Sequence, residues 1–129
     1  MILAWVDGAS KGNPGPSGWG AVVYDPTRYI VARRFGGRIK REVTNSVAEL
    51  RAVLEVLYLY PNEKEFTFYS DSKYVVYILS GRWKAKANLR LIQDIWSASQ
   101  HKAVDYHLIP REDNVVANNL AQTYAGMEA

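Results

Sequence analysis

The chain lacks cysteine altogether, which excludes disulfides and thiolate metal sites and is compatible with a reducing compartment. A cytoplasmic protein is therefore expected. Histidine is scarce too, at two residues, so a bound metal would have to be held by oxygen atoms or by one of those rings. No uninterrupted apolar stretch approaches the roughly 20 residues that a membrane-spanning helix needs. Met1-Ile2-Leu3-Ala4-Trp5-Val6 is apolar, but Asp7 cuts it off well short of a secretory h-region, and it reads as a first strand. The methionine directly ahead of that strand sets the expectation of an independent protein rather than a fragment. Membrane insertion is not expected, lipid anchoring has no cysteine to carry it, and no repeat, linker or low-complexity segment interrupts the sequence.

What remains is an ordinary globular composition: 129 residues, 48% hydrophobic and 22% charged, in the range of a single domain over residues 1–129 with one core. A monomer is expected. The net charge of +3 and pI near 9.2 lean toward a polyanionic partner. Basic residues gather at Arg33, Arg34, Arg38, Lys40 and Arg41, and again at Arg82, Lys84, Lys86 and Arg90 around Trp83. Taken alone, each group reads as a solvated face.

After the first strand comes a loop rich in Gly, Pro, Ser and Asn, then a strand over Trp19–Tyr24 closed by Asp25-Pro26. A third strand is expected over Tyr29–Phe35, ending at Gly36-Gly37, and its short connection makes it an antiparallel partner of the second. From Thr44 the period changes. Val47, Leu50, Val53, Leu54, Leu57 and Tyr58 recur at helical spacing until Pro61-Asn62 ends the run. Phe66–Tyr69 returns to strand, Ser72–Leu79 fits a short helix stopped by Gly81, and Leu91, Ile92, Ile95 and Trp96 mark another helix. Val104, Tyr106 and Leu108 alternate as a last strand before a helix over about Val115–Ala125. Three strands followed by alternating helices and strands predict a five-stranded mixed α/β sheet, an antiparallel meander joined to parallel βαβ units and flanked by helices.

Asp7 and Asp71 each follow an apolar strand, and in such a sheet chemistry collects beyond the C-terminal ends of the parallel strands. Neighbouring first and fourth strands, at the roughly 4.8 Å strand spacing, would bring the two carboxylates close enough to share a cation. Glu49, early in the long helix, would reach the same point, and Asn118 lies early in the last helix. Clustered carboxylates repel one another unless protons or metal ions neutralise them. Hard oxygen ligands suit Mg²⁺, with Mn²⁺ as substitute, and two such ions can drive an in-line phosphoryl displacement with no covalent nucleophile. Singly, Asp7 suits a turn, Asp71 a helix N-cap and Glu49 a solvated helix position.

Jointly, the flanking sequences resemble type 1 ribonuclease H over nearly the whole chain. The likeness is carried by Asp7 to Gly20, by Thr44-Asn45-Ser46-Val47-Ala48-Glu49-Leu50, by Asp71-Ser72-Lys73-Tyr74-Val75 and, more loosely, by Arg111 to Ala121. The resemblance implies a ribonuclease H-like fold and an endonuclease that cuts the RNA strand of RNA/DNA hybrids, leaving 3′-hydroxyl and 5′-phosphate ends. It also implies that Asp7 bridges two metals, that Glu49 and Asp71 complete the site of one, and that position 118 helps hold the other. The family has aspartate where this chain has Asn118. An amide keeps a ligating oxygen but loses the charge, so weaker binding of the water-activating ion and attenuated activity are expected.

Many members carry a histidine on the loop before the final helix, whereas this loop reads Ile109-Pro110-Arg111-Glu112-Asp113. Arg111 or Glu112 is a candidate for substrate or product handling in its stead, and His107, inside a strand, reads as structural. By resemblance Asn13, Asn45 and Ser46 lie along the minor groove, where RNA displays its 2′-hydroxyls. Thr44 and Asn88 match positions that grip a DNA-strand phosphate, Trp83 is a candidate for packing against a deoxyribose, and Glu42 stands where some members have a basic residue. The segment Gly81–Leu91 is too short for the long basic protrusion of some members. Two other readings remain open: a hybrid-binding module with catalysis lost through Asn118, and a DNA nuclease of the wider superfamily.

Overall fold

A computed structural model of the chain, which describes residues 1–28 and 31–127, arranges five strands in one sheet in the order β3-β2-β1-β4-β5. In β1 (Ile2–Ser10) the alternate residues Ile2, Ala4 and Val6 are fully buried on one face, as period-two patterning requires. Its neighbours are β2 (Gly15–Tyr24), antiparallel, and β4 (Glu65–Ser70), parallel. The edges are β3 (Arg33–Val43), antiparallel to β2, and β5 (Ala103–Leu108), parallel to β4. This is the expected meander joined to parallel units.

Helix α1 (Asn45–Leu59) begins where Thr44 Oγ1 accepts the Val47 amide at 3.3 Å. Its buried stripe includes Leu50, Val53, Leu54 and Leu57, and it packs with α3 (Leu89–Ala98) on the face of Phe66 and Phe68. Burying each such side chain stabilises the fold by about 1.5–3 kcal/mol. Helix α2 (Lys73–Leu79) is capped by Ser72, whose Oγ accepts the Val75 amide at 3.2 Å. A 3₁₀ turn, Arg111–Asp113, leads into α4 (Val115–Ala125), which lies against β1, β2 and β3 on the opposite face through Ala121 and Ala125. No helix among the described residues is long and apolar enough to cross a membrane.

Several strand boundaries differ from the expectation. β1 runs on through Asp7, which pairs with Gly20, because pairing to β2 continues after the parallel pairing to β4 ends at Trp5. β2 starts at Gly15 rather than at Trp19, extending the same ladder. Gly36-Gly37 does not end β3 but sits inside it. A Cβ at Gly36 would overlap the ring of Tyr124, so the glycine admits a side chain of α4 rather than turning the chain. Of the expected third strand, Tyr29 and Ile30 lie outside the described residues, and Val31 and Ala32 precede β3, which begins only at Arg33.

Candidate active site

Strand β4 ends at Ser70, and Asp71 is the next residue, before α2 begins. The Asp7 carboxyl stands on the neighbouring strand, two residues past the last β1–β4 pair. Glu49 reaches them because α1 crosses β1 in close contact. A Cβ at Gly8 would overlap the backbone of Ala48 and Glu49, so this position tolerates no side chain. Asp7, Glu49 and Asp71 thereby offer ligand oxygens that all lie within 4.8 Å of one another.

Asn118 arrives from the opposite face. Asn114, buried at the start of α4, donates its Nδ2 to the Val6 carbonyl at 2.9 Å and ties that helix to β1. One turn later, Asn118 Nδ2 donates to Asp7 Oδ2 at 2.9 Å, while the Gly8 amide donates to Oδ1 at 2.9 Å. The cleft these residues line encloses about 190 Å³ and also takes in Asn45, Arg111 and Gln122.

The electrostatics follow from crowding. Glu49 is pushed up to about 8, first by burial and then by the charges of Asp7 and Asp71, with a hydrogen bond from Ser72 opposing. Asp7 is raised to about 6 by burial and by Asp71, against the lowering effect of the hydrogen bonds from Asn118 and Gly8. Arg111 Nε lies 3.5 Å from Asp71 Oδ2 and remains largely exposed. A divalent cation would supply the missing positive charge, and three clustered carboxylates are the hard donor set that Mg²⁺ or Mn²⁺ prefers. The chemistry of the donor set therefore fits a divalent metal.

The nucleic-acid candidates fall into two groups. At the cleft mouth, the Asn45 amide donates to Asn13 Oδ1 and the Ser10 amide to Asn45 Oδ1, each at 2.8 Å. This lock fixes the loop after β1 to the first residue of α1, with Ser46 beside it and both side-chain NH₂ groups left unpaired among the described residues. Farther out, Asn88 takes a left-handed conformation at φ 57 before α3 and donates to the Tyr74 hydroxyl at 3.0 Å. Trp83 is 47% exposed and meets Tyr77 edge-on at 5.0 Å, so it is a surface ring rather than a core one.

Not every candidate converges. Glu112 lies on an apolar hollow beside Trp5 and Val115, away from the acidic cleft that Arg111 lines. His107 stacks on Tyr69 at 5.6 Å, and Tyr69 on Trp5 at 4.7 Å, an aromatic row outside the cleft. Two contributors escaped sequence reasoning. Gln122 lies four residues beyond Asn118 on the same helix face, a spacing that marks it as a neighbour once the helix is placed. Ser72 read only as the start of the short helix, with Asp71 suited to the cap, yet Ser72 itself caps α2 and also hydrogen-bonds Glu49.

The RNase H family model matches residues 1–128 of the chain. The protein from Mycobacterium tuberculosis described as "Bifunctional protein Rv2228c" is 40% identical over 125 residues, covering 93% of this chain and 34% of that protein. The chain thus spans about a third of the length of this relative. Among solved structures, the N-terminal RNase H domain of Rv2228c, a fusion with maltose-binding protein, superposes with a TM-score of 0.85 at 34% identity, covering 96% of this chain and 92% of that one. LC11-RNase H1 in complex with an RNA/DNA hybrid gives a TM-score of 0.82 at 28% identity, with 95% of each chain covered.

Proposed function

This chain belongs to the RNase H family, and from that premise we propose that it hydrolyses the RNA strand of RNA/DNA hybrids endonucleolytically, giving 3′-hydroxyl and 5′-phosphate ends. The observation that carries the reading is the convergence of Asp7, Glu49 and Asp71 within 4.8 Å. The hybrid bound by its structural relative LC11-RNase H1 supports the choice of substrate. We assign the whole chain to one catalytic domain, acting as a monomer in the cytoplasm.

In this reading Asp7, Glu49 and Asp71 would hold Mg²⁺, and Asn118 would offer an amide oxygen to the second of two ions. Bound there, the ions would activate a water and stabilise the leaving oxygen of an in-line displacement. The protein's own part is to position. Gly8 lets Glu49 approach, Ser72 fixes its carboxyl, and Asn45 with Asn13 presents amide donors to the minor groove, where RNA displays 2′-hydroxyls. Thr44, Asn88 and Trp83 serve the DNA strand. Arg111, paired with Asp71, is the side chain placed to meet a substrate or product phosphate.

Asn118 attenuates this activity. Its amide donates to Asp7, so to ligate an ion it must turn its oxygen inward, and it brings no charge when it does. That hydrogen bond also favours a second reading, a hybrid-binding module with little cleavage. Incubating hybrid, double-stranded RNA and duplex DNA with the chain and with Asn118→Asp, across Mg²⁺ and Mn²⁺ titrations, separates the possibilities. Cleavage confined to the hybrid, stronger at low Mg²⁺ in Asn118→Asp, is the expected result. Tight hybrid binding with no product even in Mn²⁺ would select the binding module, and cleavage of duplex DNA would overturn both.

A further inference from the structure

A trough of about 740 Å³ between β3, α1 and α3 is larger than the acidic cleft. Val43 and Asn88 are among its lining residues, which places it beside the Thr44 and Asn88 grip on the DNA strand. From there it runs along α1 as far as Glu55.

Its charge is one-sided. Arg51 and Arg90 neutralise the two acids of the trough, Glu55 at 2.8 Å and Asp94 at 3.3 Å. On the opposite wall Lys40 and Arg41 are exposed and make no ion pair among the described residues, and Arg38 donates to the Met127 carbonyl. The charges of Lys40 and Arg41 therefore face the trough without an acidic partner among the described residues. Charges on an edge strand commonly guard against edge-to-edge pairing. That role does not require basic side chains on α1 and α3 to line the same depression from the other side.

Two absences give the trough a purpose. Residues 80–88, between α2 and α3, are too few for a basic protrusion, and Glu42 puts a negative charge next to the Thr44 grip. A duplex lying across the acidic cleft still presents a continuous run of phosphates on its second strand. Lys84 and Lys86 line a separate hollow beside Trp83, and Arg38 is engaged by the Met127 carbonyl, which leaves Lys40 and Arg41 as the trough cations with neither an ion pair nor a side-chain hydrogen bond among the described residues.

We propose that the trough is a second phosphate track, which holds the DNA strand of the hybrid beyond the grip at Thr44 and Asn88, with Lys40 and Arg41 as its main phosphate-binding side chains. The proposal rests on the hybrid-cleaving reading of the acidic cleft. It makes β3 take over electrostatic work that a longer chain would give to a protrusion, and it makes affinity depend on hybrid length.

The test uses the full chain carrying Glu49→Gln, so that substrate stays uncut, and compares hybrids of one and two helical turns. Lys40→Glu/Arg41→Glu is expected to weaken the two-turn hybrid roughly tenfold and to flatten the slope of log K against log salt by about 0.9 for each phosphate left without a cationic partner. The one-turn hybrid, which fills only the cleft and the grip, should bind as before. Methylphosphonates in the distal DNA strand should weaken the parent and leave the double variant unaffected. Both side chains are exposed, so the fold is expected to survive, and Lys40→Gln/Arg41→Gln provides a milder pair if it does not. Unchanged affinity for the two-turn hybrid would overturn the proposal and assign the trough to another anionic partner, and so would an equal loss on both lengths. If the parent itself shows no preference for hybrid over duplex DNA, the hybrid reading fails first, whatever the variants do.

Discussion

Asn118 and Glu49 carry opposite compromises within one cleft. Asn118 supplies Asp7 with a hydrogen bond at 2.9 Å, where a carboxylate would add a fourth negative charge. Asn118→Asp is therefore expected to cleave hybrid at lower Mg²⁺ while losing about 1–3 kcal/mol of metal-free stability, which a denaturant titration in EDTA would measure. Glu49 works the other way. Its folded value of about 8 lies above the ordinary 4.5, so the native state holds this proton more tightly than the unfolded chain does. Stability from this group is fully present below pH 4.5 and is lost as pH rises through about 8, and Asp7 adds a smaller loss between 3.8 and about 6. The metal-free protein should melt at progressively lower temperature across that window, and Glu49→Gln should flatten the dependence while abolishing cleavage. A melting temperature independent of pH in EDTA would contradict the crowding described here. Because protons compete for the same oxygens, the Mg²⁺ requirement should rise as pH falls below about 8.

Two helices hold the site together, and they do so by different means. The buried stripe of α1 anchors Glu49, and Leu54, 1% exposed, lies at its centre. Leu54→Ala should cost about 2–5 kcal/mol by removing packed methyl groups and leaving a cavity, with the loss visible in urea unfolding. Activity per folded molecule should be nearly retained. Ser72 is the contrasting case, since its hydroxyl both caps α2 and hydrogen-bonds Glu49. Ser72→Ala should lose only about 1 kcal/mol of stability, yet it should raise the Glu49 pKa further and increase the Mg²⁺ needed for half-maximal cleavage. A stability loss with an unaltered Mg²⁺ titration would reduce Ser72 to a cap.

At the scale of the whole molecule, the net charge of +3 is modest, but its distribution is not. The acidic cleft lies on one side of the N-terminus of α1, and the basic trough opens between α1, β3 and α3. Hybrid binding should weaken steeply with added salt as condensed counterions are displaced, and a flat response by fluorescence anisotropy would argue against a phosphate-tracking surface. The sheet connects the two regions. β3 carries Lys40 and Arg41, and the chain passes from its last residue, Val43, through Thr44 directly into α1, which carries Glu49.

Local chemistry was legible without coordinates: the acids, the change of period at Thr44, the helical stripe from Val47 to Tyr58 and the alternation in the strands. Each depends on side chains within a turn or a strand pair of one another, and sequence spacing reports those distances faithfully. The type and order of the elements followed, as did the mixed sheet. Other features depended on packing between distant segments. Gly36-Gly37 looked like a strand end because the ring of Tyr124 that occupies the space lies 88 positions away from Gly36 along the chain. The amide of Asn118 meets Asp7 across a separation of 111 residues, and no local pattern fixes which of its two faces points inward. Arg111 and Glu112 are adjacent in sequence yet line different depressions, since a 3₁₀ turn sends consecutive side chains in different directions. Residue type thus set which chemistry was available, and only the topology of the sheet decided which groups meet, because proximity over such separations is created by the crossing of elements and not by the spacing within them.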